Sequence, residues 1–187
     1  RFAKGDIENA FEQNFDDNNW PVVSLPHGIE YLPVDASGGV NYQGVVWYRK
    51  HFTPTDSLKG KKLFIYFEAI MGKSKVWING VQVAGHFGGY LPVIADISSH
   101  VKFGQDNVIA VLADNSNDPL YPPGKAQNVL DYCYFGGIYR DCWLVAHNNV
   151  FITDPNYESE VAGGGQLVAF PEVSDQKATI LLRTHIR

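Results

Sequence analysis

The sequence predicts an all-β fold, an antiparallel β-sandwich, and three observations lead to that prediction. Short runs of alternating apolar and polar residues recur along the chain, each bounded by Gly, Pro, Asn or Asp. No stretch repeats its apolar residues at helical spacing. Asn79-Gly80 separates two of the runs, and this pair suits a two-residue type I′ hairpin because both central residues of that turn have positive φ.

The predicted strands follow one another in short segments. They are residues 46–52, 63–67, 76–78, 81–83, 108–112 and 138–145. Residues 114–130 read as a polar loop rich in Pro and Gly, and loops of this length in compact domains are usually functional or mobile. After residue 147 the chain reads as a linker, and a further alternating run occupies residues 177–186. We therefore divide the chain into a first domain, 1–147, and a remainder, 148–187.

The composition of the chain favours some classes of function and argues against others. Aromatic residues make up 13% of the 187 residues, which suits a β-sandwich or a carbohydrate-binding surface. The net charge of −5 comes from 15 Lys and Arg against 20 Asp and Glu scattered along the chain, which argues against a nucleic-acid partner. No run approaches the roughly 20 apolar residues that span a bilayer. The compartment stays open between a bacterial periplasmic or extracellular location and the cytoplasm.

Cysteine and histidine patterns predict no metal centre. The two cysteines, Cys133 and Cys142, are too few for a disulfide framework or a zinc site. A disulfide between them and a pair of buried free thiols are the alternatives, of which the thiols are the commoner arrangement. The six histidines show no metal-ligand spacing.

The segment 131–144, DYCYFGGIYRDCWL, has the most unusual pattern of residue types in the chain. Five further motifs precede it in order: FDDNNWPVVSLPH (15–27), VWYRKHF (46–52), WING (77–80), GHFGGY (85–90) and DIS (96–98). This ordered set resembles the N-terminal sugar-binding domain of glycoside hydrolase family 2, the family of β-galactosidases, β-glucuronidases and β-mannosidases. The resemblance covers residues 1–145. It implies an antiparallel jelly-roll β-sandwich of the galactose-binding-domain type, followed by the opening strands of an immunoglobulin-like β-sandwich.

The resemblance also implies that this chain is non-catalytic, whereas its parent protein is a retaining exo-β-glycosidase, most simply a β-galactosidase. Such enzymes use two carboxyl groups roughly 5 to 5.5 Å apart, and the family supplies both as glutamates of a later TIM barrel. Neither the family's Asn-Glu motif nor a barrel-like βα repeat occurs here. The glutamates therefore read as surface or structural residues; they stand at positions 8, 12, 30, 68, 158, 160 and 172. No cofactor is expected in this chain.

Asp131 is the strongest candidate for a functional residue. In family enzymes that resemble the galactosidases, an aspartate stands ten residues before the aspartate of the Gly-Ile-aromatic-Arg-Asp motif, and Asp131 stands ten before Asp141. The resemblance implies that Asp131 reaches into the active site of the full-length enzyme, binds a sugar hydroxyl and, as in some members of the family, ligates a sodium ion. A sodium or magnesium ion is the cofactor that the resemblance implies for the full-length enzyme. Carboxylates suit both tasks. The alternative is a loop aspartate that caps a turn.

His27 is a second candidate for sugar binding. The family commonly reads Leu-Pro-His-Asp-Trp where this chain reads Leu25 to Ile29 as LPHGI, so the aspartate of that pattern has no counterpart here. A hydrogen-bonded turn histidine is the alternative. Arg140 and Asp141 would point to opposite faces of an alternating strand, and we expect partly buried residues with separate partners rather than a catalytic pair.

The sequence leaves three functions open and predicts several partners. The first reading is the N-terminal domain of a family 2 enzyme, which shapes the active-site mouth and binds the terminal β-linked sugar of an oligosaccharide. The alternatives are a self-sufficient carbohydrate-binding module and a purely structural scaffold or dimerisation domain. Downstream immunoglobulin-like and TIM-barrel domains of the same chain are the expected partners, with a homo-oligomer as a further option. Trp77 can stack a sugar ring or pack within its sheet, and its place beside a tight hairpin favours packing.

Overall fold

The computed structural model describes residues 1–31, 41–120, 122–132, 134–159 and 163–187. The regular elements of the described residues are almost all β-strands. Its elements are β1 (Phe2–Lys4), β2 (Val45–Phe52), β3 (Lys62–Phe67), β4 (Lys73–Ile78), β5 (Val81–Phe87), β6 (Val93–Asp96), β7 (Asn107–Asp114), β8 (Cys142–His147), α1 (Pro155–Glu158), β9 (Gln166–Val173) and β10 (Ala178–Thr184), with 3₁₀ turns at Asp56–Leu58 and Gln127–Val129.

Two antiparallel sheets pack face to face and confirm the predicted sandwich. The five-stranded sheet has the order β1-β2-β7-β4-β5, and the three-stranded sheet has the order β6-β3-β8. Alternate residues of both sheets point into one apolar core, as inward-facing strand positions do in sandwiches. Its most buried members include Val46, Leu63, Ile65, Ile70, Val76, Ile78, Ile97 and Ile138.

The β4–β5 hairpin has the predicted geometry. Asn79 and Gly80 have φ of 51° and 85°, the two positive values of a type I′ turn. The Asn79 side chain also anchors the turn to β7, because its Oδ1 accepts a hydrogen bond from the backbone N–H of Val108 at 2.9 Å. The turn residues therefore fix both the hairpin and its contact with the neighbouring strand.

Each of the six predicted runs overlaps an observed strand, but the last begins later than predicted. Residues 138–141 lie outside β8, which starts at Cys142. Gly137 has φ of 95°, and its carbonyl makes only an isolated bridge to Met71, so the chain is not extended here. The extended ladder with β3 forms only after this turn.

The outer face of the five-stranded sheet is covered by the N-terminal segment, residues 7–20. Ala10 of this segment is fully buried, and Trp47 and Trp77 beneath it are 3% and 8% exposed. This burial confirms the prediction that Trp77 packs within its sheet and does not stack on a sugar ring. Arg49 holds the segment in place, since its guanidinium donates to the Asp17 carboxylate at 2.8 Å and to backbone carbonyls of the segment, including that of Ala10 at 2.6 Å.

The outer face of the three-stranded sheet is covered at one end only. Phe64 of β3 makes edge-on ring contacts with Tyr157 and Phe151, whose centroids lie at 5.2 and 5.9 Å. His147 stacks on Phe151 at 4.7 Å. The segment after β8 therefore folds back onto the sandwich. Beyond these contacts, Trp143 of β8 lies 55% exposed.

Strands β9 and β10 form a separate antiparallel hairpin that overlaps the predicted run 177–186. A bridge between Ile152 and Ile186 joins it to the segment after β8. Many of its apolar side chains are exposed, among them Leu167, Val168, Phe170, Val173, Ile180, Leu181 and Leu182. The division of the chain after residue 147 stays a prediction.

Candidate functional site

Two of the motifs singled out in the sequence, GHFGGY and DYCYFGGIYRD, meet at one edge of the sandwich. The Tyr139 hydroxyl donates a hydrogen bond to the Gly89 carbonyl, and Tyr90 and Tyr132 are joined by a side-chain hydrogen bond. Burial, followed by the bond to Tyr132, raises the pKa of Tyr90 to about 12, so its hydroxyl stays protonated at neutral pH. We call the surface formed by Tyr90, Asp131, Tyr132 and Tyr139 the loop edge.

The base of the loop edge is a close-packed glycine pair. Backbone N–H groups of His27 and Met71 donate to the carbonyls of Ile138 and Gly137 at 2.8 and 3.0 Å. A Cβ at Gly137 would lie 2.4 Å from the Tyr48 hydroxyl oxygen, and one at Gly136 would lie 2.4 Å from a side-chain carbon of Ile29. Only glycine fits this path.

Asp131 lies on an exposed turn between two buried residues. Leu130 and Tyr134 are 8% and 3% exposed and pack together with Met71. Asp131 and Tyr132 are both exposed at the surface between these anchors. The structure therefore places the carboxylate at the loop edge, beside an exposed tyrosine, on a segment whose ends are fixed by apolar packing.

A network of buried amides ties the segment around Asp131 to the irregular segment that precedes β2. The Asn41 side chain donates to the Tyr134 carbonyl at 2.8 Å, and it accepts from the Gln127 side chain at 3.2 Å. Gln127 is 2% exposed, and its backbone N–H donates to the Asn117 side chain at 3.2 Å. Buried amides that lose a partner are costly, so each link stabilises the loop path.

These amides are the residues that sequence reasoning missed. Asn41 and Gln127 are 86 positions apart, and nothing in the chain pairs one amide with another at that separation. Asn115 is a third member; it is 1% exposed and donates to the Tyr42 carbonyl at 2.7 Å. The only available signal was the polar character of residues 114–130, which indicated a special loop without identifying its partners.

His27 lies under the loop edge rather than at its exposed rim. Its Nδ1 is 2.9 Å from the Tyr48 hydroxyl, and its ring packs edge-on against Phe2 at 4.7 Å. Burial lowers the pKa of His27, which favours the neutral imidazole. These are the contacts of a packed, hydrogen-bonded histidine. A sugar contact by His27 stays a prediction.

Arg140 and Asp141 differ from expectation in their surroundings. Both are exposed and precede β8, so they do not lie on an alternating strand and are not partly buried. The Arg140 guanidinium lies 5.4 Å from the centre of the Tyr139 ring, whereas Asp141 makes its contact through the backbone, where its carbonyl accepts from the N–H of Glu68 at 3.0 Å. Separate side-chain partners for the two residues stay a prediction. The positive φ of Gly137 delays the strand and explains the difference.

Two global features complete the description. Among the described residues, no group of three or more His, Cys, Asp or Glu could hold a metal ion. Over the same residues, no helix is long and apolar enough to cross a membrane. The proposed pairing of Cys133 with Cys142 falls outside the described residues, because Cys133 is not among them.

Comparison with known proteins places these features in a family. Residues 10–148 match the family model described as "Glycosyl hydrolases family 2, sugar binding domain". The chain is 41% identical over 150 residues to a β-galactosidase of Thermoanaerobacter pseudethanolicus, an alignment that covers 80% of this chain and 20% of that protein. It is 32% identical over 198 residues to a β-glucuronidase of Formosa agariphila, covering 100% of this chain and 20% of that protein.

A solved structure agrees with the sequence matches. The β-glucuronidase 2 of Bacteroides uniformis, covalently bound to cyclophellitol-6-carboxylate aziridine, superposes with a TM-score of 0.83 at 30% identity. The superposition covers 99% of this chain and 21% of that one. This chain thus spans about a fifth of the length of the proteins it matches.

Proposed function

The chain belongs to glycosyl hydrolase family 2 as its sugar-binding domain, and on that premise we propose that it serves a retaining exo-β-glycosidase as a non-catalytic N-terminal domain. In this proposal the loop edge lines the mouth of the active site, and Asp131 binds a hydroxyl of the terminal sugar. The observation that carries it is the exposed position of Asp131 on a segment anchored at both ends. A carboxylate held in this way accepts hydrogen bonds from sugar hydroxyls without losing much conformational freedom on binding.

Two observations bear on the substrate class. The ten-residue spacing from Asp131 to Asp141 favours a β-galactoside, whereas the matched proteins carry both β-galactosidase and β-glucuronidase names. A uronate would bring a negative charge close to Asp131, which a neutral galactoside does not. We therefore propose β-galactosides first and compare them with β-glucuronides in the same assay.

The proposed partners are the later domains of the same chain. The side chains of Leu167, Phe170 and Leu182 in the hairpin β9–β10 are 43%, 60% and 57% exposed. So much exposed apolar surface is unusual for a two-stranded hairpin. Further strands of an immunoglobulin-like sandwich would bury these side chains. A TIM barrel after that sandwich would supply the catalytic glutamates.

A hard cation is proposed for the full-length enzyme. The Asp131 carboxylate is the oxygen donor type that such cations take, and its exposed position allows ligands from another domain to complete the site. A sodium or magnesium ion bound there would orient the carboxylate and the sugar hydroxyls. Isothermal titration of the metal-free full-length enzyme with each cation tests this, and unchanged binding in Asp131→Ala would contradict it.

The function is tested by the kinetics of Asp131→Ala and Asp131→Asn in the full-length enzyme with aryl β-galactoside and β-glucuronide substrates. Loss of a charge-assisted hydrogen bond of roughly 1.5 to 3 kcal/mol lowers kcat/KM about ten- to a hundredfold. A fall in kcat indicates a contact that strengthens in the transition state, whereas a rise in KM alone indicates uniform binding.

The matched control is Asp175→Ala, an exposed aspartate between β9 and β10. It should leave kcat/KM unchanged, and thermal melts of all variants should coincide. Wild-type kcat/KM in a folded Asp131→Ala enzyme would remove the proposed role and favour a structural scaffold.

A further inference from the structure

A pocket with the chemistry of a ligand site lies on the outer face of the three-stranded sheet, away from the loop edge. Its volume is about 400 Å³, within the range of small-molecule sites. We call it the outer-face pocket. The strands contribute Phe64, Tyr66, Ile94, Trp143, Val145 and His147, Glu68 follows directly after β3, and the segment after β8 contributes residues 151–155 and Tyr157.

The open end of the pocket is an aromatic platform. Trp143 is 55% exposed and stands opposite Tyr66 in the β3–β8 register. Its indole N–H donates to Oε1 of Glu68 at 3.2 Å, which fixes the plane of the ring. Among the four tryptophans, Trp143 is the exposed one, although it occupies a strand. A fixed, exposed indole face is suited to stacking against an apolar ligand surface.

Oxygen atoms that can accept hydrogen bonds line the pocket beside Trp143. Oε2 of Glu68 makes no hydrogen bond to the described residues, while Oε1 holds the indole. Asp154 and Glu68 line the pocket together with Tyr66, whose pKa is raised by burial first and then by the charges of these two carboxylates. The described lining contains no Lys or Arg. The pocket thus combines a flat apolar face with negatively charged acceptors.

We propose that the outer-face pocket is a second carbohydrate site, which takes one neutral pyranose residue of an oligosaccharide. The C–H face of the ring stacks on Trp143, and ring hydroxyls donate to Glu68 and Asp154. A uronic acid is disfavoured, because its carboxylate would approach two like charges without a cation from the lining. The site uses none of the residues of the loop edge and is independent of the function proposed for it.

The geometry also explains why the pocket stays open. Phe151 and Tyr157 pack edge-on against Phe64, whereas Trp143 on the same face is 55% exposed. The pocket therefore has a floor on β3, β6 and β8 and a wall formed by the segment after β8.

The test is calorimetric titration of this chain, and of the full-length enzyme, with neutral tetrasaccharides linked through sulfur to prevent hydrolysis. Binding should occur in both, with Kd on the order of 1 mM for a single-ring site.

Trp143→Ala should weaken binding about tenfold or more, as expected for a central aromatic contact. Glu68→Ala should also weaken it, whereas Glu68→Gln keeps an oxygen acceptor for the indole and should retain most of the affinity. Acrylamide quenching of Trp143 fluorescence should fall when sugar binds.

Controls separate this site from the loop edge. Tyr31→Ala removes an aromatic ring that is 97% exposed and lies outside the pocket, and it should not change the affinity. Asp131→Ala in this chain should also retain it, so that failure of either proposal leaves the other standing. Thermal melts verify folding.

Four results would overturn the proposal. In the first, the folded chain does not bind the neutral tetrasaccharides, and in the second, Trp143→Ala binds them with unchanged affinity. In the third, this chain binds them but the full-length enzyme does not. In the fourth, uronic-acid tetrasaccharides or tetramethylammonium bind as tightly as the neutral tetrasaccharides or more tightly. The third would show that another domain covers the pocket, and the last would reassign it to a different ligand class.

Discussion

The two outer faces of the sandwich carry similar aromatic residues but are covered to very different extents. On the five-stranded sheet, Trp47 and Trp77 are 3% and 8% exposed beneath residues 7–20. On the three-stranded sheet, Trp143 occupies an equivalent outward strand position and is 55% exposed. Strand alternation therefore determines which way a side chain points, whereas its burial depends on whether a distant segment crosses that face.

The covered face depends on a buried ion pair, and its removal should have the largest effect on stability. The Arg49 side chain is fully buried, and the Asp17 side chain is 6% exposed. Arg49→Met leaves that carboxylate buried without its partner and should lower the free energy of unfolding by about 3 to 5 kcal/mol. Urea denaturation measures the change. The neighbouring exposed Lys50→Met should change it by less than about 0.5 kcal/mol. A loss below about 1 kcal/mol in Arg49→Met would mean that apolar packing alone holds the cover.

The hairpin that carries Trp77 offers a second way to disturb the covered face. Gly80→Val forces a β-branched residue to a φ of 85° and should cost about 1 to 3 kcal/mol, although a Cβ at Gly80 would make only ordinary contacts, at 3.9 and 4.0 Å from the backbone of Gln13 and Glu12. Differential scanning calorimetry reports the fall in Tm. Gly80→Asn should retain most of the stability, because asparagine tolerates positive φ. Equal melting of the Val and Asn variants would show that backbone strain does not matter here.

The covered face should also be acid-sensitive. Burial works to raise the pKa of Asp17, but the hydrogen bond and charge of Arg49, with a smaller contribution from His51, outweigh it and lower the pKa. A lowered folded-state pKa stabilises the fold above the unfolded value of about 3.9. That stability is lost as pH falls through the folded pKa, below about pH 4. Unfolding free energies measured from about pH 6 to pH 2 should show a steeper acid loss than in Asp17→Asn. Parallel profiles would exclude Asp17 as a source of the acid sensitivity.

The smallest effect is expected on the open face. Trp143→Ala removes an exposed side chain and one hydrogen bond to Glu68, so it should cost less than about 1 kcal/mol. Denaturation of this chain measures it directly. Trp77→Ala is the matched variant on the covered face and should cost several times more. Equal costs would mean that both faces are stabilised alike and would weaken the comparison.

Sequence reasoning predicted the locally determined parts of the molecule. The Asn79-Gly80 turn and the alternating strands follow from neighbouring residues, so they appeared at or near their predicted positions. The start of β8 was placed at residue 138 instead of Cys142, because the positive φ of Gly137 is set by its packing against Tyr48. Local signals do not contain such tertiary constraints.

The candidate site was predictable only in part for the same reason. Asp131 stood out through a motif, yet the amides that hold its segment, such as Asn41 and Gln127, are joined across the fold. The pocket around Trp143 combines strands with a segment that returns from beyond residue 150. Neither arrangement has a period or a spacing that a single sequence would show.

The strand order of the smaller sheet has a consequence for synthesis of the chain. β3 is central, with β6 along one edge and β8 along the other, and β8 begins about 75 residues after β3 ends. One edge of β3 therefore keeps unpaired backbone groups until residues 142–147 have emerged from the ribosome. The contacts of Phe64 with Phe151 and Tyr157 form later still. The face that carries Trp143 is thus the last part of the sandwich to be completed, and the same short stretch of nascent chain both closes the sheet edge and builds the wall of its pocket.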